Sequence, residues 1–148
     1  MNQRKKNSPS VLLVDDEEQL LLSSSVVLRV AGIKNVHTIE DSRNVLSFLK
    51  SHEIAVVVLD LRMPNLSGME LLPQITKTFP GLPVIVMTAL NDKDTESECI
   101  KAGAFDYLSK PLERDQFVSI VKKALGLQEF SRRTTKCPIS QIWNHFRK

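Results

Sequence analysis

At 148 residues, with 42% hydrophobic and 25% charged positions, the chain fits one globular domain able to bury its own core. No apolar run approaches the roughly 20 residues that a membrane span needs. The net charge of +3 suggests nucleic acid only until the charges are placed: residues 1–10 carry +3 and residues 129–148 carry +4, which leaves −4 for residues 11–128 and excludes direct nucleic-acid binding by the acidic body.

In chain order, residues 1–9 read as a flexible basic N-terminus with no hydrophobic stretch behind it, so they are not a secretory signal. Val11–Val14 is a short apolar strand. Glu17 to about Ala31 follows as a helix, with Leu20, Leu21, Val27, Leu28 and Val30 at helical spacing and Gly32 as its stop. Asn35–Ile39 is a second strand. Asp41 or Ser42 caps a second helix carrying Val45, Leu46, Phe48 and Leu49. Ile54–Leu59 is β-branched and apolar at every position, as suits a central parallel strand, and Asp60 ends it. Pro64, Asn65 and Gly68 mark a loop before a helix over Met69–Phe79. Strand four is Val84–Met87, and an acidic helix four runs from about Asp92 to Ala102. Strand five is Phe105–Leu108, and helix five runs from Glu113 to about Leu125, stopped by Gly126. Cys99 and Cys137 have no metal-ligand spacing and read as free thiols in a reducing cytoplasm. His37, His52 and His145 are scattered without a ligand pattern.

Five β-α units in succession imply right-handed crossovers and a three-layer α/β fold. The expected sheet is parallel and flavodoxin-like, in the order 2-1-3-4-5. In such a sheet the working site lies at the carboxyl ends of the strands. Asp15 and Asp16 follow strand one, Asp60 follows strand three, Thr88 follows strand four, and Lys110 with Pro111 follows strand five. Taken singly, each is an ordinary strand-end residue. Together they set three carboxylates, a hydroxyl and an ammonium along one edge. Two carboxylates about 4 Å apart repel by roughly 4 kcal/mol at an effective dielectric near 20, so the cluster needs a cation or a salt bridge. An all-oxygen site suits Mg²⁺. Metal, lysine and hydroxyl together can neutralise a phosphoryl group attached to a carboxylate, and Asp is a competent nucleophile for that transfer.

The set VLLVDDEEQL, VVLDLRMPNLSGMELL, VIVMTAL and GAFDYLSKPL, in that order, resembles the response-regulator receiver family over residues 10–126. The resemblance implies that Asp60 is the phosphoacceptor for a sensor histidine kinase. It implies a Mg²⁺ or Mn²⁺ ion bound by Asp16, Asp60 and the backbone carbonyl of Arg62, with Asp15 acting through water. It further implies that Thr88 and Lys110 bind the phosphoryl group, that the Lys110–Pro111 peptide is cis, and that Tyr107 is the aromatic residue that turns inward when Thr88 moves. A phosphorylation-dependent homodimer through helix four, strand five and helix five is the expected response.

Other classes fit less well. A flavodoxin needs a first loop that cradles phosphate, and here that loop is Asp15-Asp16-Glu17-Glu18; Glu17 and Glu18 are read as favourable charges at a helix N-terminus. An aspartyl-phosphate hydrolase generally carries a second Asp two positions after the nucleophile, where this chain has Arg62. Residues 127–148 hold a basic stretch and Ile139, Ile142, Trp143 and Phe146, spaced for an amphipathic turn or two, and read as a linker or tail. The receiver segment is most similar to those at the N-terminus of NtrC-type, sigma-54-dependent transcription activators. A stand-alone receiver acting through protein contacts is the alternative.

Overall fold

Side chains alternate across a strand, so a strand apolar at every position must be covered on both faces. The computed structural model, which describes residues 9–89 and 93–133, meets that requirement. Five strands form one parallel sheet in the order β2-β1-β3-β4-β5: β1 (Val11–Val14), β2 (Val36–Ile39), β3 (Val56–Asp60), β4 (Val84–Thr88) and β5 (Asp106–Ser109). The helices are α1 (Glu18–Val30), α2 (Val45–Ser51), α3 (Gly68–Thr78), α4 (Lys93–Lys101) and α5 (Arg114–Arg133).

The period of two divides the core into two layers. Val11, Leu13, Val56, Val58, Ile85 and Met87 face α1 and α5, where they meet Leu21, Leu28, Phe117 and Val121. Leu12, Val14, Val57, Leu59, Val84 and Val86 face α2, α3 and α4, where they meet Val45, Leu49, Leu71, Ile75 and Cys99. Fully burying a Val, Leu, Ile or Phe side chain contributes about 1.5–3 kcal/mol over leaving it exposed, and both layers are built from such residues.

The expected elements are all present, and apart from the end of α5 their bounds shift by no more than about three residues. Asp41 does act as a cap, but of a 3-10 turn at Ser42–Asn44, where its carboxylate accepts the Arg43 amide; α2 proper begins only at Val45. Gly32, at φ 96, stops α1 as expected, because the chain enters the left-handed region there and the Ile33 amide reaches back to the Leu28 carbonyl. Helix α5 departs from expectation. It does not stop at Gly126 but continues to Arg133. A glycine inside a helix costs about 1 kcal/mol. The next residue, Leu127, is buried in the first core layer, and that burial more than offsets the cost.

Cys99 is a free, buried thiol as expected. Residues 1–8, the proposed helix-four start at Asp92, Leu90 of the strand-four motif, and Cys137 with the apolar residues 139–146 lie outside the described residues. Among the described residues, no helix is long and apolar enough to cross a membrane.

Candidate functional site

Because all five strands are parallel, their carboxyl ends meet at one edge, and the chain places its polar residues there. Asp15 and Asp16 follow β1, Asp60 is the last residue of β3, and Thr88 is the last residue of β4. Lys110 lies just beyond β5, where its amide donates to the Thr88 carbonyl at 2.8 Å. The Lys110–Pro111 peptide is cis.

The core of the site is a buried ion cluster. Lys110 Nζ lies 2.8 Å from Asp15 Oδ2 and 3.3 Å from Asp60 Oδ2. Asp15 is fully buried and Asp60 is 3% exposed, so neither carboxylate can rely on bulk water. The protein supplies other donors: the Glu17 amide to Asp15 Oδ1 at 2.9 Å, and the Arg62 amide to Asp60 Oδ1 at 3.3 Å. Burial, and then the Asp15 charge, push the Asp60 carboxyl up to about 6, with Lys110 and the Arg62 amide restraining the rise. Burial opposes the charge on Lys110, yet its bond to Asp15 and the field of both carboxylates outweigh that and raise its pKa.

Asp16 is exposed at the rim, and one oxygen from each of Asp15, Asp16 and Asp60 lies within 4.8 Å of the others. Three carboxylates against one ammonium leave surplus negative charge in a cradle of hard oxygens, which fits a divalent ion such as Mg²⁺.

The fold adds three further features at this edge. Helix α3 begins at Gly68, directly against the end of β3: the Gly68 amide donates to the Leu61 carbonyl at 2.9 Å, and a Cβ there would sit 2.2 Å from the Asp60 carbonyl oxygen. No side chain fits. Ser67 caps the same helix by accepting the Glu70 amide, and Asn65 takes the left-handed conformation (φ 70) that turns the loop toward it. Gly68→Ala is therefore expected to cost at least about 2 kcal/mol, because backbone must shift on both sides. Urea unfolding checks this; an unchanged midpoint would show that the close approach is not required.

Thr88 is fully buried and Tyr107 half-buried. Thr88 lies opposite Ser109, and Tyr107 lies opposite Val86. Alternation puts Val86, Thr88 and Tyr107 on the same face of the sheet, the one α4 covers, and Tyr107 packs in that layer.

The structure thus brings Asp15, Asp16, Asp60 and Lys110 together and sets Thr88 at the same edge, joined to Lys110 through the backbone. Arg62 enters the cluster through its amide. Sequence reasoning treated Gly68 only as a loop marker. The available signal was Ser67 followed by Glu70 three positions later, a helix-start pattern that places Gly68 in the first turn.

A family model, the response regulator receiver domain, matches residues 11–122. Over 89 residues the chain is 43% identical to the DNA-binding transcriptional regulator NtrC of Salmonella typhimurium, a match covering 60% of this chain and 19% of that protein. Over 101 residues it is 37% identical to the C4-dicarboxylate transport transcriptional regulatory protein DctD of Pseudomonas aeruginosa, covering 68% of this chain and 22% of that protein. The chain therefore spans about a fifth of the length of these curated relatives. Among solved structures, the beryllofluoride-activated NtrC4 receiver domain dimer is similar, with a TM-score of 0.75 and 33% identity, over 80% of this chain and 98% of that one.

Proposed function

Because the chain belongs to the response regulator receiver domain family, we propose that it is a phosphorylation switch in which Asp60 accepts a phosphoryl group from a sensor histidine kinase. The observation that carries this reading is the buried Asp60 carboxylate held 3.3 Å from the Lys110 ammonium, beside the oxygens of Asp15 and Asp16. With its carboxyl pushed up to about 6, Asp60 still favours the ionised form at pH 7 and so presents a nucleophilic oxygen. That oxygen forms the new bond to phosphorus as the bond to the donor breaks. Lys110 already stands where it can pair with the transferred group, and Thr88 supplies a hydroxyl at the same edge. Asp16, Asp60 and the Arg62 carbonyl would hold Mg²⁺ or Mn²⁺ directly, and Asp15 through water. When bound, the ion offsets negative charge on the phosphoryl oxygens. Incubation with Mg²⁺ and acetyl phosphate should add one acid-labile phosphoryl group per chain by intact mass. No uptake in Mg²⁺, or undiminished uptake in EDTA, would overturn the reading.

The signal is read, in this proposal, through Thr88 and Tyr107. A charge of about −2 on Asp60 draws donors toward it. Thr88 shares a sheet face with Tyr107, so its displacement opens space for the ring. The face of α4, β5 and α5 changes most, and it carries exposed charges of both signs, including Glu96, Glu98, Lys101, Arg114 and Lys122. Such a set can pair across a two-fold axis. The structural relative that is a beryllofluoride-activated dimer supports this reading. In sedimentation, beryllofluoride is expected to change the dimerisation constant about 5- to 150-fold, with Thr88→Ala responding weakly. Unchanged association would remove this part of the proposal while leaving Asp60 as phosphoacceptor. The relatives NtrC and DctD are transcriptional regulators by name, and transcriptional control through a further domain is the output proposed for the protein.

A further inference from the structure

Among the described residues the exposed large aliphatic side chains are Leu22, Val26 and Val30, at 61%, 56% and 68%, and all three stand on α1. At i, i+4 and i+8 they form a single stripe about 12 Å long. Exposed aliphatics scattered singly are ordinary; their confinement to one stripe of one helix is not. Gln19 and Ser23 share this exposed face. Ser23 already donates its hydroxyl to the Leu20 carbonyl at 3.2 Å, so covering it strands no donor.

The charges around the stripe are sorted by end. Glu17 and Glu18 are exposed where α1 begins; Arg29 in its last turn and Lys34 beyond the Gly32 stop are exposed where it ends. None of these four side chains forms an ion pair with another described residue. A face with acid at one end and base at the other is complementary to a copy of itself laid antiparallel. We propose that α1 pairs with α1 of a second copy of this chain across a two-fold axis passing beside Val26.

In that pairing Val26 meets its own counterpart and Leu22 meets the Val30 of the second copy. Glu18 comes opposite the Lys34 of the second copy, with Arg29 about a turn further in. A parallel pairing would set acid against acid and base against base, so the charges select the antiparallel one. The opposed helix dipoles act in the same direction. A two-fold contact is self-complementary and closes with two copies, so one stripe on each chain is enough. The face is separate from that of α4, β5 and α5, and the pairing does not depend on the phosphorylation reading. One helix face is smaller than the roughly 800 Å² per partner of a standard interface. The dimer is accordingly weak, with a dissociation constant in roughly the micromolar to sub-millimolar range.

Sedimentation of the full chain, unphosphorylated and in EDTA, should show a monomer–dimer equilibrium between about 10 μM and about 1 mM. Val26→Glu sets like charges together on the axis and should weaken association at least about tenfold. Glu18→Lys should weaken it a few-fold, and adding Lys34→Glu should restore it. Lys50→Glu, on α2 across the sheet, should leave it unchanged. Far-UV circular dichroism confirms that each variant is folded. In a Cys137→Ser background, Val26→Cys should cross-link to itself under mild oxidation, because the axis brings that position against its own copy. Leu22→Cys and Val30→Cys should each stay uncross-linked alone and join only when mixed. A chain that is monomeric at about 1 mM would overturn the proposal and leave the stripe to another occupant. A dimer indifferent to Val26→Glu would also overturn it, as would Leu22→Cys cross-linking to itself as readily as Val26→Cys.

Discussion

Asp60→Asn is expected to abolish phosphoryl uptake and, in metal-free buffer at pH 7, to make the protein more stable. The first effect follows from chemistry: the amide is nearly isosteric with the carboxylate but is not a nucleophile. The second follows from burial. The Asp60 carboxyl stands at about 6 against an ordinary 3.8, so its ionised form costs the fold about 3 kcal/mol. The sign is that of an acid whose folded pKa is raised. The folded state keeps its proton to higher pH than the unfolded chain, so this contribution is most favourable below about pH 4. It declines from there to about pH 6 and is flat above. The asparagine variant lacks that decline. Urea unfolding in EDTA across this range should show wild type and variant converging at low pH and separating by about 3 kcal/mol at pH 7. Equal labelling of the two proteins would refute Asp60 as phosphoacceptor. Parallel pH profiles would show instead that its burial is fully compensated.

Lys110→Met is expected to destabilise the metal-free protein by about 3–5 kcal/mol, because it leaves two buried carboxylates without their cation. Methionine keeps most of the side-chain volume, so the loss reflects charge more than packing. Lys110 bridges Asp15 at 2.8 Å and Asp60 at 3.3 Å, and its raised pKa keeps that bridge charged below the alkaline range. A divalent ion can take over the missing charge. Mg²⁺ at 100 times its dissociation constant should return about 2.7 kcal/mol by mass action. Because the variant's site is the more negative, it should bind the ion more tightly than the wild-type site. Unfolding curves with and without Mg²⁺ test both parts. A loss identical in the two buffers would mean that both sites bind the ion equally well, and no gain from Mg²⁺ in either protein would mean that the acidic trio holds no ion. A loss near zero would mean that the bridge contributes no more than a surface pair.

Much of this site was legible in the sequence because strand ends are easy to find. Val56–Leu59 is unbroken apolar chain, so the Asp60 that ends it had to stand at the edge of the sheet. The same holds for Asp15 after Val11–Val14 and for Thr88 after Val84–Met87. Where extended apolar runs alternate with amphipathic helices, the parallel order and the shared edge follow from connection rules alone. Local pattern also located the stop of α1 at Gly32. It failed at Gly126, because whether a glycine ends a helix depends on what the following residue can bury.

What the residues determined by themselves was thus the fold class, the edge that carries the chemistry, and the residue types that meet there. Their division of labour was decided only in three dimensions. Asp15 and Asp16 are neighbours of the same type, yet one is buried against Lys110 and the other is exposed at the rim. Nothing local distinguishes them; the pleat and the approach of the β5–α5 loop do. Gly68 is the same kind of case. Its need for a bare Cα comes from the Asp60 carbonyl eight residues away, a contact that exists only once α3 has packed against β3. Burial, pKa and close approach depend on distances between residues far apart in the chain, and those distances are set by the packing of helices on the sheet.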